Sequence, residues 1–160
     1  MVPGALYDPE DENSGNYFQR GKEWERLCNV EFYEPVDNSG INQLCGLRTH
    51  GNRTRKSSAK GMKFYAREEY GKKRFKHHFF NTTSIKSFKH LVLKPYSILW
   101  PYVGVQDYVA SRMDLNMGLE APNSRPVVVY LNGEYWGIYC LQEKLDDHYL
   151  EDHFGLEPEQ

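Results

Sequence analysis

Asn132-Gly133 constrains the fold more than any other feature of the chain, because it stands between two apolar runs, Val127-Val128-Val129-Tyr130-Leu131 and Tyr135-Trp136-Gly137-Ile138-Tyr139-Cys140-Leu141. A two-residue type I′ turn needs positive φ at both central positions, and Asn-Gly adopts that conformation at low cost. The runs are read as antiparallel strands joined by this turn. With Leu131 opposite Glu134, the register sets Val129 against Trp136 and Val127 against Ile138 on one side, and Tyr130 against Tyr135 and Val128 against Gly137 on the other. Both faces are apolar or aromatic. A lone hairpin is marginal in water, so this one requires a larger sheet with further elements packed on its strands.

The rest of the chain has room to supply that sheet. A chain of 160 residues fits one domain and buries roughly two-thirds of its unfolded surface, enough to fold without disulfides. Cys28, Cys45 and Cys140 are an odd set with no C-x-x-C spacing. They read as buried, strand-borne thiols; a Cys28–Cys45 bridge between neighbouring strands is the second reading, and a zinc site the weakest. A formal net charge of −2 gives the surface as a whole no case for nucleic acid or an anionic membrane. The longest apolar run falls far short of the ~18 residues that span a bilayer, and Met1 to Arg20 has no charged segment followed by an apolar one. No targeting signal is read, as would also hold for a piece of a longer secreted protein.

Along the chain, residues 1–20 are rich in Pro, Gly, Asp, Glu, Asn and Ser without a period and read as a linker or arm, tied down by Tyr17 and Phe18. Residues 21–160 read as a single domain. Trp24 to Glu34 alternates apolar Cys28, Val30 and Phe32 with polar neighbours, a half-buried strand. Leu44 to His50 reads as its partner, and Lys60 to Arg67 as a third strand. Between the last two lies the basic turn Gly51 to Ser58, where backbone N–H groups with Arg53, Arg55 and Lys56 could hold a phosphate; a solvated hairpin tip is the plainer reading. His77-His78 lack the spacing of a metal site and read as surface or half-packed. Phe88 to Lys94 is strand-like. Val105 to Met117 carries Val105, Tyr108, Val109, Met113 and Met117 at helical spacing, with Gly118 as its stop, and Met113 and Met117 read as core. Gln142 to Asp146 leaves the sheet, and Asp146 or Asp147 caps a short helix His148 to His153 that closes at Gly155. The fold class is α+β: a mainly antiparallel sheet of about five to six strands with one long helix on a face.

Four ordered stretches, LRTHGNRTRKSSAKGMKFYAREEYGKKRF, FKHLVLKP, MGLEAPNSRPVVVYLNGEYWG and YLNGEYWGIYCLQEKLDDHYLEDHFG, resemble the CotH family, the spore-coat-protein-H-type atypical protein kinases and the large bacterial surface proteins that carry this domain. The resemblance runs from about Trp24 onward and implies a kinase-like fold. The basic turn then resembles a phosphate-covering loop, Val105 to Met117 resembles helix C, and Gln142 to Asp146 resembles the hinge after a kinase small lobe. By position in the motif Lys60 is the first match to the family's strand lysine, Lys63 the second and Lys94 the third. Asn52 and Arg53 in the turn and Glu143 in the hinge complete the nucleotide-binding set, although for Glu143 a solvated or salt-bridged loop carboxylate is the plainer reading. Gln106-Asp107 stands where relatives carry Arg-Asp, which departs from the usual helix–lysine ion pair. The family's W-D-x-D metal motif does not occur before Gln160, and Asp152-His153-Phe154-Gly155 is no substitute for Asp-Phe-Gly. No catalytic or metal-binding residue is therefore assigned.

The resemblance implies the nucleotide-covering part of a protein kinase-like phosphotransferase, inactive alone, with ATP and magnesium belonging to the full-length domain and none bound to this chain by itself. Nucleotide and a protein substrate are the implied partners of the parent, and a homodimer would cover the surface that a missing large lobe leaves. The location implied is extracytoplasmic, at a spore or cell surface. The competing reading is a non-catalytic binding or structural module of a bacterial surface or spore-coat protein, with Trp24, Trp100, Trp136 and the tyrosines as its binding face.

Overall fold

A computed structural model describes residues 15–96 and 106–156. Its body is a six-stranded antiparallel sheet built from β1 (Arg26–Tyr33), β2 (Gly40–His50), β3 (Gly61–Tyr65), β6 (His90–Pro95), β8 (Glu134–Glu143) and β7 (Ser124–Leu131), in that spatial order. A two-stranded ribbon of β4 (Phe75–Lys76) and β5 (Ser87–Phe88) forms between β3 and β6, α1 (Gln106–Asn116) between β6 and β7, and α2 (Asp147–Phe154) after β8. The architecture is α+β, as the element order implies.

Strand periodicity decides what each side of the sheet carries, since successive side chains point to opposite faces. On one face Cys45, Met62, Phe64, Leu91, Leu93, Tyr139 and Leu141 are buried, and the segment around the ribbon folds beneath them, contributing Phe75, Phe79, Phe80 and Phe88. Phe79 and Phe80 both meet Phe88 edge-on, with centroids 5.7 and 5.4 Å apart, the geometry that aromatic quadrupoles favour. The opposite face of β2, β3 and β6 alternates with this core: Arg48 opposes Lys63, Lys63 opposes Val92, and Tyr65 opposes His90. One face is thus an apolar core, and the other carries Arg48, Lys63, His90 and Lys94 among buried Tyr65, Val92 and Cys140.

The opening hairpin keeps its turn and loses part of its register. Asn132 and Gly133 sit at φ 51° and 84°, and Leu131 pairs with Glu134 and Tyr130 with Tyr135. A bulge then intervenes, so Val129 faces Gly137, Val128 faces Ile138 and Val127 faces Tyr139 instead of the regular pairing. The extra residue shifts the later half of β8 by one and thereby turns Tyr139 and Leu141 toward the core, while Ile138 points out. Gly137, at φ 135°, accommodates the bend. The hairpin forms one end of the sheet, and β7, its edge strand, tolerates Pro126 within its ladder.

Two further expectations are corrected. Met113 and Met117 are 58% and 71% exposed, and Val109 is exposed as well: α1 approaches β7, but these side chains are not part of the core. Gln142 and Glu143 do not leave the sheet. They pair with Val92 and Leu91 and are buried, and the chain departs only after Glu143.

Asp146 occupies the N-cap position of α2, and Gly155 closes the helix in the left-handed conformation. The Asp146 carboxylate makes no cap bond. It is engaged on the sheet's polar face instead. Val105, Trp100 and the side chains of Arg53, Gln106 and Asp107 lie outside the described residues.

Candidate functional site

The polar face of β2, β3 and β6 is organised around Lys63. Its ammonium lies 3.8 Å from Asp146 Oδ2 and 4.5 Å from the centroid of Tyr65, with the side chain 13% exposed. Burial, the largest influence, lowers the Lys63 pKa to about 8; Asp146 opposes the shift and Lys144, Arg48 and Arg67 add to it. A lysine set between Arg48 and an apolar neighbour has lost much of its hydration, and one carboxylate returns only part of it.

The surrounding charges continue across the sheet. Asp146 Oδ2 also bonds His90 Nδ1 at 2.7 Å. Burial pulls the Asp146 carboxyl up, but the His90 hydrogen bond and the charges of His90, Lys63 and Lys144 outweigh it and hold it below its usual range. The Arg48 guanidinium stacks 4.0 Å from the Tyr65 centroid and lies 3.5 Å from Glu25. Glu25, with no exposed side-chain surface, accepts two bonds from Arg67, at 2.7 and 3.1 Å. Gly46 makes room for that carboxylate, since a Cβ there would overlap it.

Cations crowd the edge nearest the basic turn. His50 is held to about pKa 4, first by burial and then by the charges of Lys94, Lys144, Lys63 and Arg55. Gly61 opposes His50, and the register that pairs Met62 with Leu93 sets it beside Lys94. A Cβ at Gly61 would stand 2.9 Å from the His50 carbonyl oxygen, so bare backbone separates the cationic strands.

The sequence-selected residues distribute unevenly over this geometry. Lys63 is at its centre. Lys60 precedes β3 and turns its ammonium onto the basic turn, donating to the carbonyls of Arg55 and Ser57 at 2.9 and 3.0 Å and lying 4.0 Å from the Tyr17 ring. Asn52 is exposed and accepts a bond from Arg20 at 3.2 Å, while Arg53 opens a short 3-10 turn, Arg53–Lys56. Arg55, buried in that turn, donates to the carbonyls of Gly51, Tyr17, Gln19 and Thr49, so its guanidinium fastens the turn and the preceding segment to β2.

Glu143 is not a loop carboxylate. It is a strand residue that accepts bonds from the backbone and side-chain amides of Asn123, both at 2.8 Å, and meets His153 Nε2 at 3.1 Å. These bonds join the end of β8 to the start of β7 and to α2. Lys94 lies opposite Cys140, on the face that carries Lys63. Arg48, His50, His90 and Asp146 are not marked by the sequence as site residues. The signal for the first two is the alternation of Leu47-Arg48-Thr49-His50, set in antiparallel register against Met62-Lys63-Phe64-Tyr65.

Fold and site together define an α+β domain whose sheet has an aromatic core on one side and a cation-lined face on the other. The family model described as CotH kinase protein matches residues 47–160, a stretch that begins in β2 and takes in nearly all of this face. The chain belongs to that family and carries a kinase-like domain. No curated protein matches it.

Proposed function

We propose that the face around Lys63 holds the phosphates of a nucleotide in a CotH-type kinase-like domain. The observation that carries this reading is the gathering of cations on one side of adjoining strands: Arg48 on β2 opposes Lys63 on β3, and Lys94 on β6 shares their face, with Lys63 held down to about pKa 8 and His50 to about 4. A bound polyphosphate would oppose the part of both shifts that the neighbouring cations cause, by supplying negative charge. Lys63 would donate to phosphate oxygens, with Arg48 and Lys94 on the adjoining strands. Asp146 and His90 position the Lys63 ammonium. The element order of β6, α1, the β7–β8 hairpin and an exit into α2 supports a kinase small-lobe arrangement with ATP as the nucleotide.

Magnesium belongs to that chemistry, since it neutralises the charge that moves in phosphoryl transfer. Among the described residues no group of three His, Cys, Asp or Glu side chains is arranged to hold a metal, and no step is assigned through one. The chain is proposed as the nucleotide-covering part of the domain, without phosphotransfer by itself and without nucleotide retained through purification. Its place is proposed, from the family, at a spore or cell surface, with a protein as substrate of the parent. A second copy is the proposed cover for exposed Leu145, Leu150, Phe154 and Leu156; a monomeric sedimentation profile at micromolar concentration counts against it.

The test is an ATP titration of the chain followed by amide chemical shifts, with half-saturation expected at millimolar concentration. Lys63→Ala should weaken binding about 10-fold or more, the loss of one charge-assisted hydrogen bond, while Lys60→Ala should change it less than about 2-fold. Wild-type affinity in Lys63→Ala overturns the assignment. A second reading, the non-catalytic binding module, rests on the outer face of the hairpin, where Val128, Tyr130, Tyr135, Trp136 and Ile138 are 45–62% exposed. It gains if ATP shifts no resonance of β2, β3 or β6.

A further inference from the structure

Cys28 and Cys45 are paired directly across the β1–β2 ladder, with their sulfurs 3.4 Å apart. Opposed residues of an antiparallel pair have Cα atoms about 4.5–5.5 Å apart, inside the roughly 4.4–6.8 Å range that a disulfide spans. Both are free thiols. Their accessibility differs: Cys45 is fully buried, whereas Cys28, on an edge strand, is only half-buried. Cys140 is buried on β8, three strand spacings from β2, about 14 Å, and cannot compete for either sulfur.

We propose that Cys28 and Cys45 form a redox-active thiol pair at which a small disulfide oxidant closes a covalent bond between β1 and β2. The half-buried thiol reacts first. The Cys28 thiolate attacks one sulfur of an oxidised glutathione molecule, forming a mixed disulfide and expelling one glutathione thiolate, which takes up the proton that Cys28 released. Cys45 then loses its proton and attacks the Cys28 sulfur, expelling the second glutathione. The protein gives up two electrons and two protons, and the oxidant becomes two thiols.

The order of attack follows from accessibility, since an oxidant reaches half-buried Cys28 before fully buried Cys45, and the electrostatics agree. The contact between the two sulfurs, in which either could donate, lowers the Cys28 pKa against the opposing effect of burial, while the same contact and burial raise Cys45. Cys28 is therefore the better nucleophile and Cys45 the resolving thiol. The bond closes a loop that includes the turn from Glu34 to Gly40 and fixes the edge strand to the sheet. The inference is independent of the nucleotide reading, because the pair lies on the core side of β1 and β2.

The folded chain is equilibrated with oxidised glutathione, quenched, alkylated and mapped by mass. Trypsin leaves both cysteines in one peptide, Leu27–Arg48, which should lose two hydrogens and resist alkylation. A further cut after Glu31 should leave its two halves joined. Cys140 should be labelled only after unfolding. Cys45→Ser should stop at a glutathione adduct on Cys28, whereas Cys28→Ser should take up little glutathione, and the oxidised wild type should melt about 6–10 °C higher than the reduced. The proposal is overturned if both thiols in the wild type remain alkylatable, or if Cys28 accumulates as the mixed disulfide; neither readout needs a variant to fold.

Discussion

Replacing Lys63 with Met should stabilise the fold at neutral pH. The Lys63 ammonium is 13% exposed, and its pKa falls from 10.5 to about 8, so keeping it charged in the folded state costs roughly 3 kcal/mol at pH 7, since one pKa unit is about 1.4 kcal/mol. The attraction of Asp146 at 3.8 Å is already included in that net shift. Methionine has a similar unbranched stem and no charge to desolvate, and substitution of a buried ionic group by an apolar one of like volume is often stabilising. Asp146 is not stranded by the change, because His90 still bonds it at 2.7 Å. With some repacking loss, Lys63→Met should gain about 1–3 kcal/mol, a rise in Tm of about 3–10 °C. The pH dependence carries the sign. Because the folded pKa is depressed, the unfolded chain binds more protons between pH 8 and 10.5; wild-type stability therefore climbs across that window relative to the variant, and the gap closes. Urea denaturation followed by tryptophan fluorescence at several pH values from 7 to 10.5 measures both quantities. Lys63→Met less stable than wild type at pH 7, with a difference that stays flat to pH 10.5, would refute the reasoning and make Lys63 an ordinary structural cation.

Two other perturbations probe the frame that holds the face. Glu25→Gln should cost about 3 kcal/mol in urea denaturation, because Arg67 loses its buried carboxylate partner and Arg48 its nearest counter-charge; a loss under 1 kcal/mol, in the range of exposed pairs, would show that water replaces it. Gly137→Val places a β-branched residue at φ 135° in the bulge and should cost about 1–3 kcal/mol, measured as a lowered Tm with the Asn132-Gly133 turn unchanged by amide shifts; an unaltered Tm would mean that the bulge can migrate along β8.

What the sequence reveals follows the range of the physics. Asn132-Gly133 determines its own backbone, so the turn and the first two strand pairs are legible, but the bulge depends on whether Ile138 or Tyr139 enters a core supplied largely by Phe75, Phe79, Phe80 and Phe88. No local pattern states that choice. Met113 and Met117 fail for a related reason, since helical spacing of a few apolar residues does not state what packs on them, and both are exposed. Glu143 sits in a polar run that resembles a loop, and only Asn123, 20 residues earlier, and His153, 10 residues later, allow it to be buried. Lys60 and Lys63 differ by strand parity: Met62 and Phe64 fix the core side of β3 and hence the outward side of Lys63, whereas Lys60 precedes the strand and is claimed by loop carbonyls. The parity of β3 was readable from Met62-Lys63-Phe64-Tyr65. The company Lys63 keeps was not, because β6 joins β3 after an intervening ribbon and β8 joins β6 after a helix and a further strand. The cationic face is thus a product of nonconsecutive strand order, which brings together charges that motif spacing keeps apart.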